Sequence, residues 1–184
     1  MLKTITVTAT DTAERYVLKT EPLTSAAFRI FGDVIQACQT RHHFSINGGF
    51  AERFHDLARI DVGTLGGQPI VSIFKAKPRQ LPMQLLLERH PLGSQAFIPM
   101  SSQPFLVVVA PAGDEPELQQ LRCFLAAPGQ GVNYARGTWH HPLIALHAPS
   151  DFLVIDRAGA KTDIHCEEYP LTNASFWIDS TQVT

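Results

Sequence analysis

The stretch GQGVNYARGTWHHPLIAL, residues 129–146, decides how this chain reads. Glycine reaches backbone angles closed to residues with a side chain, so Gly129, Gly131 and Gly137 predict tight turns. Those turns aim His140 and His141 from a fixed point, and the apolar run after them predicts a strand. Adjacent side chains on extended backbone point to opposite faces, so only one of the pair enters a given pocket, and His140 is the one expected there. A second segment, ERHPLGSQAFIP at 88–99, has the same construction: polar residues of catalytic type, a Pro/Gly turn, then a short apolar strand. On strand-like backbone Glu88 and His90 share a face, and Gln95 follows at i+7 from Glu88. Two such segments in a β-rich chain predict two loops facing one pocket.

Working outward, strand patterns recur at 34–36, 70–76, 95–99, 105–110, 121–126, 132–134, 143–147, 152–155 and 164–169, separated by Pro, Gly, Asn and Asp clusters. Many short strands with regular turn punctuation favour an antiparallel barrel or sandwich over alternating β-α units. Helix is expected only as a short capped turn over 23–28 and over 114–121, where Asp114 serves as N-cap and Pro116 lies in the first turn. No repeat, low-complexity tract or linker divides the sequence. Residues 1–17, Thr-rich with alternating Ile5 and Val7, read as an edge strand or loose extension, and 18–184 as a single domain.

Composition narrows the function classes. Charged residues are 17% of the 184 and hydrophobic residues 45%, against about a quarter charged in an average globular protein, so part of the apolar surface is expected to be an oligomer interface. A net charge of −2 and a pI near 6.4, with no Lys/Arg run, give no field to attract nucleic acid. Cys38, Cys123 and Cys166 are odd in number and widely spaced, which points away from a disulfide framework or thiolate zinc site and toward a reducing cytoplasm. No signal-type apolar core opens the sequence, and the longest apolar run, 105–110, is far too short to span a bilayer, so no membrane association is expected.

Eight histidines are present, at 42, 43, 55, 90, 140, 141, 147 and 165. His90 and His140 stand out because they sit at turn-to-strand entries, whereas His147 and His165 carry no such context and read as structural. Arg53 and His55 share a face of an extended segment, with Asn47 nearby. A cation beside an amide donor is what a small carboxylate ligand requires, so these are candidate substrate-binding residues. Dinucleotide-fold, P-loop, nucleophile-elbow and zincin signatures are all missing, which removes support for nucleotide and serine-hydrolase chemistry.

Gly129 followed by Ala135-Arg-Gly-Thr-Trp-His140 resembles the second cupin motif, with alanine in place of its proline. Glu88-x-His90-x4-Gln95 resembles the first, with Glu for the leading His and Gln for the closing Glu. A neutral amide is a poorer ligand than a carboxylate for a hard cation. Longer strings are similar to bacterial ureidoglycolate lyases: Phe-Gly-Asp-Val-Ile at 31–35, His-Phe-Ser-Ile-Asn-Gly-Gly at 43–49, Arg-Phe-His-Asp-Leu-Ala at 53–58, residues 88–99, and Gly-Val-Asn-Tyr-x-Arg-Gly-x-Trp-His-His-Pro-Leu at 131–143. The resemblance runs from about residue 18 to 168. It implies an all-β, cupin-like antiparallel β-barrel with a few short helices, usually a homodimer, that splits (S)-ureidoglycolate into glyoxylate and urea in allantoin and purine breakdown.

That chemistry needs a base for a hydroxyl proton, an acid for the departing nitrogen, and fixed donors for a carboxylate. The resemblance assigns Glu88, His90 and His140 to catalysis, and Asn47, Arg53, His55, Gln95 and Tyr134 to substrate binding. It allows one divalent metal ion on His90, Gln95 and His140, with proton transfer by protein groups alone as the alternative. Two rival functions use the same fold: a non-catalytic cupin that binds a small carboxylic acid, and an amidohydrolase that releases ammonia from ureidoglycolate.

Overall fold

A computed structural model describes residues 14–81, 83–171 and 174–178. In chain order the elements are β1 (Glu14–Leu18), β2 (Thr20–Pro22), α1 (Ser25–Phe28), β3 (Gly32–Ile35), β4 (His43–Ile46), β5 (Ala51–Phe54), β6 (Gln68–Ala76), β7 (Leu87–Arg89), β8 (Gln95–Pro99), β9 (Phe105–Ala110), β10 (Arg122–Ala126), β11 (Gly131–Tyr134), β12 (Trp139–His140), β13 (Ile144–Ala145), β14 (Ser150–Ala158), β15 (Glu167–Tyr169) and β16 (Ala174–Ile178). One sheet runs β15-β7-β12-β9-β10-β2 with β13 also on β9, and a second runs β3-β11-β8-β14-β6. The all-β, cupin-like expectation holds, as two large sheets; among the described residues no strand pairing closes them into one ring. β4 and β5 form a separate hairpin, and β1 pairs in parallel with β16. Of the extension at 1–17, therefore, the last residues form a strand, and 1–13 lie outside the described residues.

Strand β9 shows how the sequence builds the interior. All six residues of FLVVVA are buried, and they alternate between two cores. Phe105, Val107 and Val109 join Phe28, Phe31, Phe124 and Phe152 on one side; Leu106, Val108 and Ala110 join Leu87, Cys123, Trp139 and Ile144 on the other. Period-two side-chain alternation gives one strand both packing faces. Each large apolar side chain so buried contributes about 1.5–3 kcal/mol.

The expected turn near 23–28 is α1, capped by Thr24, whose hydroxyl accepts from Ala27 N at 3.2 Å. The helix expected over 114–121 is not formed. Only a 3-10 turn at Leu118–Gln120 appears, after an extended Glu117 that makes no side-chain cap. Gly131 is also not a turn residue: of the three glycines expected in turns, Gly129 and Gly137, at φ 79° and 78°, are left-handed and Gly131 is not. A Cβ on Gly131 would lie 2.6 Å from the Phe97 carbonyl oxygen, so its lack of a side chain serves close approach of β11 to β8. The strand expected at 164–169 begins only at Glu167.

Candidate active site

Antiparallel pairing of β7 with β12 sets His140 opposite Glu88, and opposed residues on such a ladder present their side chains to one face. His140 Nε2 lies 3.5 Å from Glu88 Oε1. His90 follows β7 by one residue; its carbonyl accepts from Gly137 N at 3.0 Å, which ties the two glycine-turn segments together. The His90 and His140 rings are 5.3 Å apart, and the ligand atoms of Glu88, His90 and His140 all lie within 4.8 Å of one another. The two motif segments thus meet, and the three residues singled out for catalysis are brought together.

Backbone carbonyls fix both imidazoles. His90 Nδ1 donates to His165 O at 2.7 Å, and His140 Nδ1 donates to Thr138 O at 2.9 Å. A carbonyl only accepts, so each Nδ1 carries a proton and Nε2 is the nitrogen that each ring turns to the site. His90 Nε2 is buried without a partner, as is Gln95 Oε1 at the start of β8, and His140 Nε2 is buried with Glu88 Oε1 facing it. Tyr134 on β11 stacks on His140 with centroids 4.3 Å apart, so it positions the ring from the opposite sheet. His141, on the other face, turns its Nδ1 to Leu86 O at 2.7 Å. His147 is exposed, and His165 serves through its carbonyl and through an Nε2 2.9 Å from Ala160 O.

The electrostatics separate the groups. Burial alone would raise the Glu88 carboxyl, but its hydrogen bond with His140 and the neighbouring imidazoles outweigh that and hold it below its ordinary range. Burial and then the charge of His140 lower His90, against its bond to the His165 carbonyl, Glu88 and Asp156. Burial pushes the Tyr134 phenol upward, with Glu88 adding to the effect. At neutral pH the site therefore holds an ionised Glu88, a neutral His90 and a protonated phenol.

Two clefts flank this group. One, about 340 Å³, is lined by Lys77, Arg79, Glu88, Gln95, Phe97 and Pro142 among others. The smaller one is lined by His90, Gln95, Asp156, Arg157, His165 and Cys166 among others. Asn47, Arg53 and His55 line neither. Asn47 is exposed beside the tip of the β4–β5 hairpin, Arg53 lies 5.9 Å from the Phe44 ring centroid, and His55 stacks edge-on to His42. Sequence reasoning missed Asp156 and the pair Lys77 and Arg79. Asp156 carries a signal, since it interrupts the apolar run of β14; Lys77 and Arg79 flank Pro78 and look like any solvated turn.

The donor set fits a divalent cation: two buried imidazoles and a carboxylate bring their ligand atoms within 4.8 Å of one another.

Two packed, mainly antiparallel sheets, with Glu88 and His140 on strands of one, His90 just past β7, and Tyr134 and Gln95 on the other, define a cupin-like enzyme site. The family model for ureidoglycolate lyase matches residues 15–179. The chain is 51% identical over 162 residues to a ureidoglycolate lyase of Burkholderia mallei, covering 88% of this chain and 92% of that protein. It is 54% identical over 158 residues to one of Burkholderia cepacia, covering 84% and 86%, and 49% identical over 154 residues to one of Azotobacter vinelandii, covering 83% and 91%. This chain belongs to the ureidoglycolate lyase family.

Proposed function

We propose that the protein is an enzyme that cleaves (S)-ureidoglycolate to glyoxylate and urea, in the breakdown of allantoin and purines. The observation that carries this reading is the convergence of Glu88, His90 and His140, with ligand atoms within 4.8 Å of one another, in a chain of this family. The substrate carbon bears a carboxylate, a hydroxyl and a urea nitrogen. Ionised Glu88 accepts the hydroxyl proton; the O–H electrons form the glyoxylate carbonyl as the C–N bond breaks, and the proton returns to the departing nitrogen. That Gln95 Oε1 is buried and unpartnered supports its accepting from the urea N–H groups. His90, Gln95 and His140, with Glu88 beside them, would hold a divalent cation, which when bound polarises the substrate oxygens. Without a cation, His90 and His140 share the acid and base work with Glu88.

Further support favours a homodimer. Strand β6 is a sheet edge on which Ile70, Val71, Ile73 and Phe74 are 40–66% exposed, on both faces. Cys38, Cys123 and Cys166 are free thiols, in keeping with a cytoplasmic protein, and no helix among the described residues is long and apolar enough to cross a membrane.

Product analysis tests the function. Incubation with ureidoglycolate should yield glyoxylate and urea in equal amounts; ammonia in place of urea marks an amidohydrolase, and binding without turnover marks a non-catalytic cupin. If a cation serves the reaction, chelation abolishes turnover and a divalent ion restores it. Under the same model His90→Ala and His140→Ala lose stoichiometric metal, and Gln95→Ala weakens it less. Turnover unchanged by chelator leaves the reaction to the protein groups alone.

A further inference from the structure

We propose that Lys77 and Arg79 form the subsite that binds the carboxylate of the acid substrate. Residues 77–79 leave the end of β6 and cross toward the other sheet, where Pro78 bridges Ala145 and Arg79 N donates to Ala145 O at 2.9 Å. The backbone of this crossing is therefore held in place. Lys77 and Arg79 both line the cleft that contains Glu88 and Gln95.

Charge balance singles these two out. A substrate carboxylate beside ionised Glu88 places two like charges together, and a cation at the same cleft offsets their repulsion. The remaining cation of this cleft, Lys75, is already paired with Asp151 at 2.6 Å. In the smaller cleft, Arg157 is committed to Asp163 and the Thr64 carbonyl. Among the described residues no carboxylate pairs with Lys77 or Arg79. A planar guanidinium matches a carboxylate with two parallel N–H groups, and the lysine adds a point charge beside it. Gln95, which lines the same cleft, is then left to the ureido end of the substrate.

This inference rests on the lyase reading for the identity of the acid, and the experiment separates the two. Lys77→Met, Arg79→Met and the double variant are compared with wild type and with Arg29→Met, which removes an exposed charge at the end of α1. Each single variant should raise KM for ureidoglycolate at least tenfold with kcat within about threefold, and the double variant should raise it further. Inhibition by glyoxylate should weaken in parallel, whereas Arg29→Met should leave both constants unchanged. A double variant with wild-type KM and wild-type glyoxylate inhibition overturns the subsite and leaves the lyase reading intact. If wild type does not cleave ureidoglycolate, the lyase reading falls and calorimetric titration with glyoxylate still reads the subsite. Binding lost in the double variant supports it; binding retained there, or absent in wild type, overturns it.

Discussion

The Nδ1 atoms of His90 and His140 are both occupied by main-chain carbonyls, so each ring has one nitrogen left for chemistry and the two point at Glu88. Removing one of them should be costly for turnover and mild for the fold. We expect His140→Ala to lower kcat/KM on the order of a hundredfold or more, with the far-ultraviolet circular dichroism unchanged; steady-state kinetics check it. His147→Ala, which removes an exposed ring, should leave kinetics as they were. His141 predicts a pH effect of a different kind. Burial lowers its imidazole to about 4 from an ordinary 6.5. Between those values the unfolded chain takes up a proton that the native ring refuses, so the contribution to stability is whole above pH 6.5 and is lost as the pH falls toward 4. The loss is roughly 3 kcal/mol at most, from the size of that shift. Urea unfolding at pH 7 and pH 5 should show it, and His141→Gln should flatten the difference.

Elements carry the constraint that holds these residues together. β11 lies between β3 and β8, and Gly131 begins it where a Cβ would meet the Phe97 carbonyl. Gly131→Ala should force the two strands apart and cost about 1–3 kcal/mol, read as a lower thermal midpoint. The strands themselves were legible: β8, β9 and β10 follow the apolar runs and their punctuation almost to the residue. So was the core of the site, because Glu88 and His90 at i, i+2 and His140 after a left-handed Gly137 are local patterns. What could not be read was pairing across long sequence separations. Lys77 and Arg79 reach the cleft through the bridge to Ala145, and Asp156 through the pairing of β14 with β8. Arg53 and His55 have suitable chemistry, yet they sit on a hairpin that packs its aromatic rings against one another. The 114–121 segment misled because Asp114 and Pro116 are cap-like residues, yet Glu117 is extended and β10 begins at Arg122, which leaves room for a single 3-10 turn.

For the whole molecule, the exposed apolar edge at β6 predicts an interface that survives dilution. Sedimentation at low micromolar concentration should find a dimer, and Val71→Asp with Ile73→Asp, on one face of that strand, should shift it to monomer. A monomeric wild type at that concentration would refute the homodimer. The placement of the site between sheets has another reach. Glu88, His90 and Gln95 precede the bend at 100–104, and Tyr134 and His140 follow it. A chain severed there would leave neither fragment with a working set of groups. Catalysis would then act as an AND gate on the two halves, and turnover would serve as a complementation signal for their reunion.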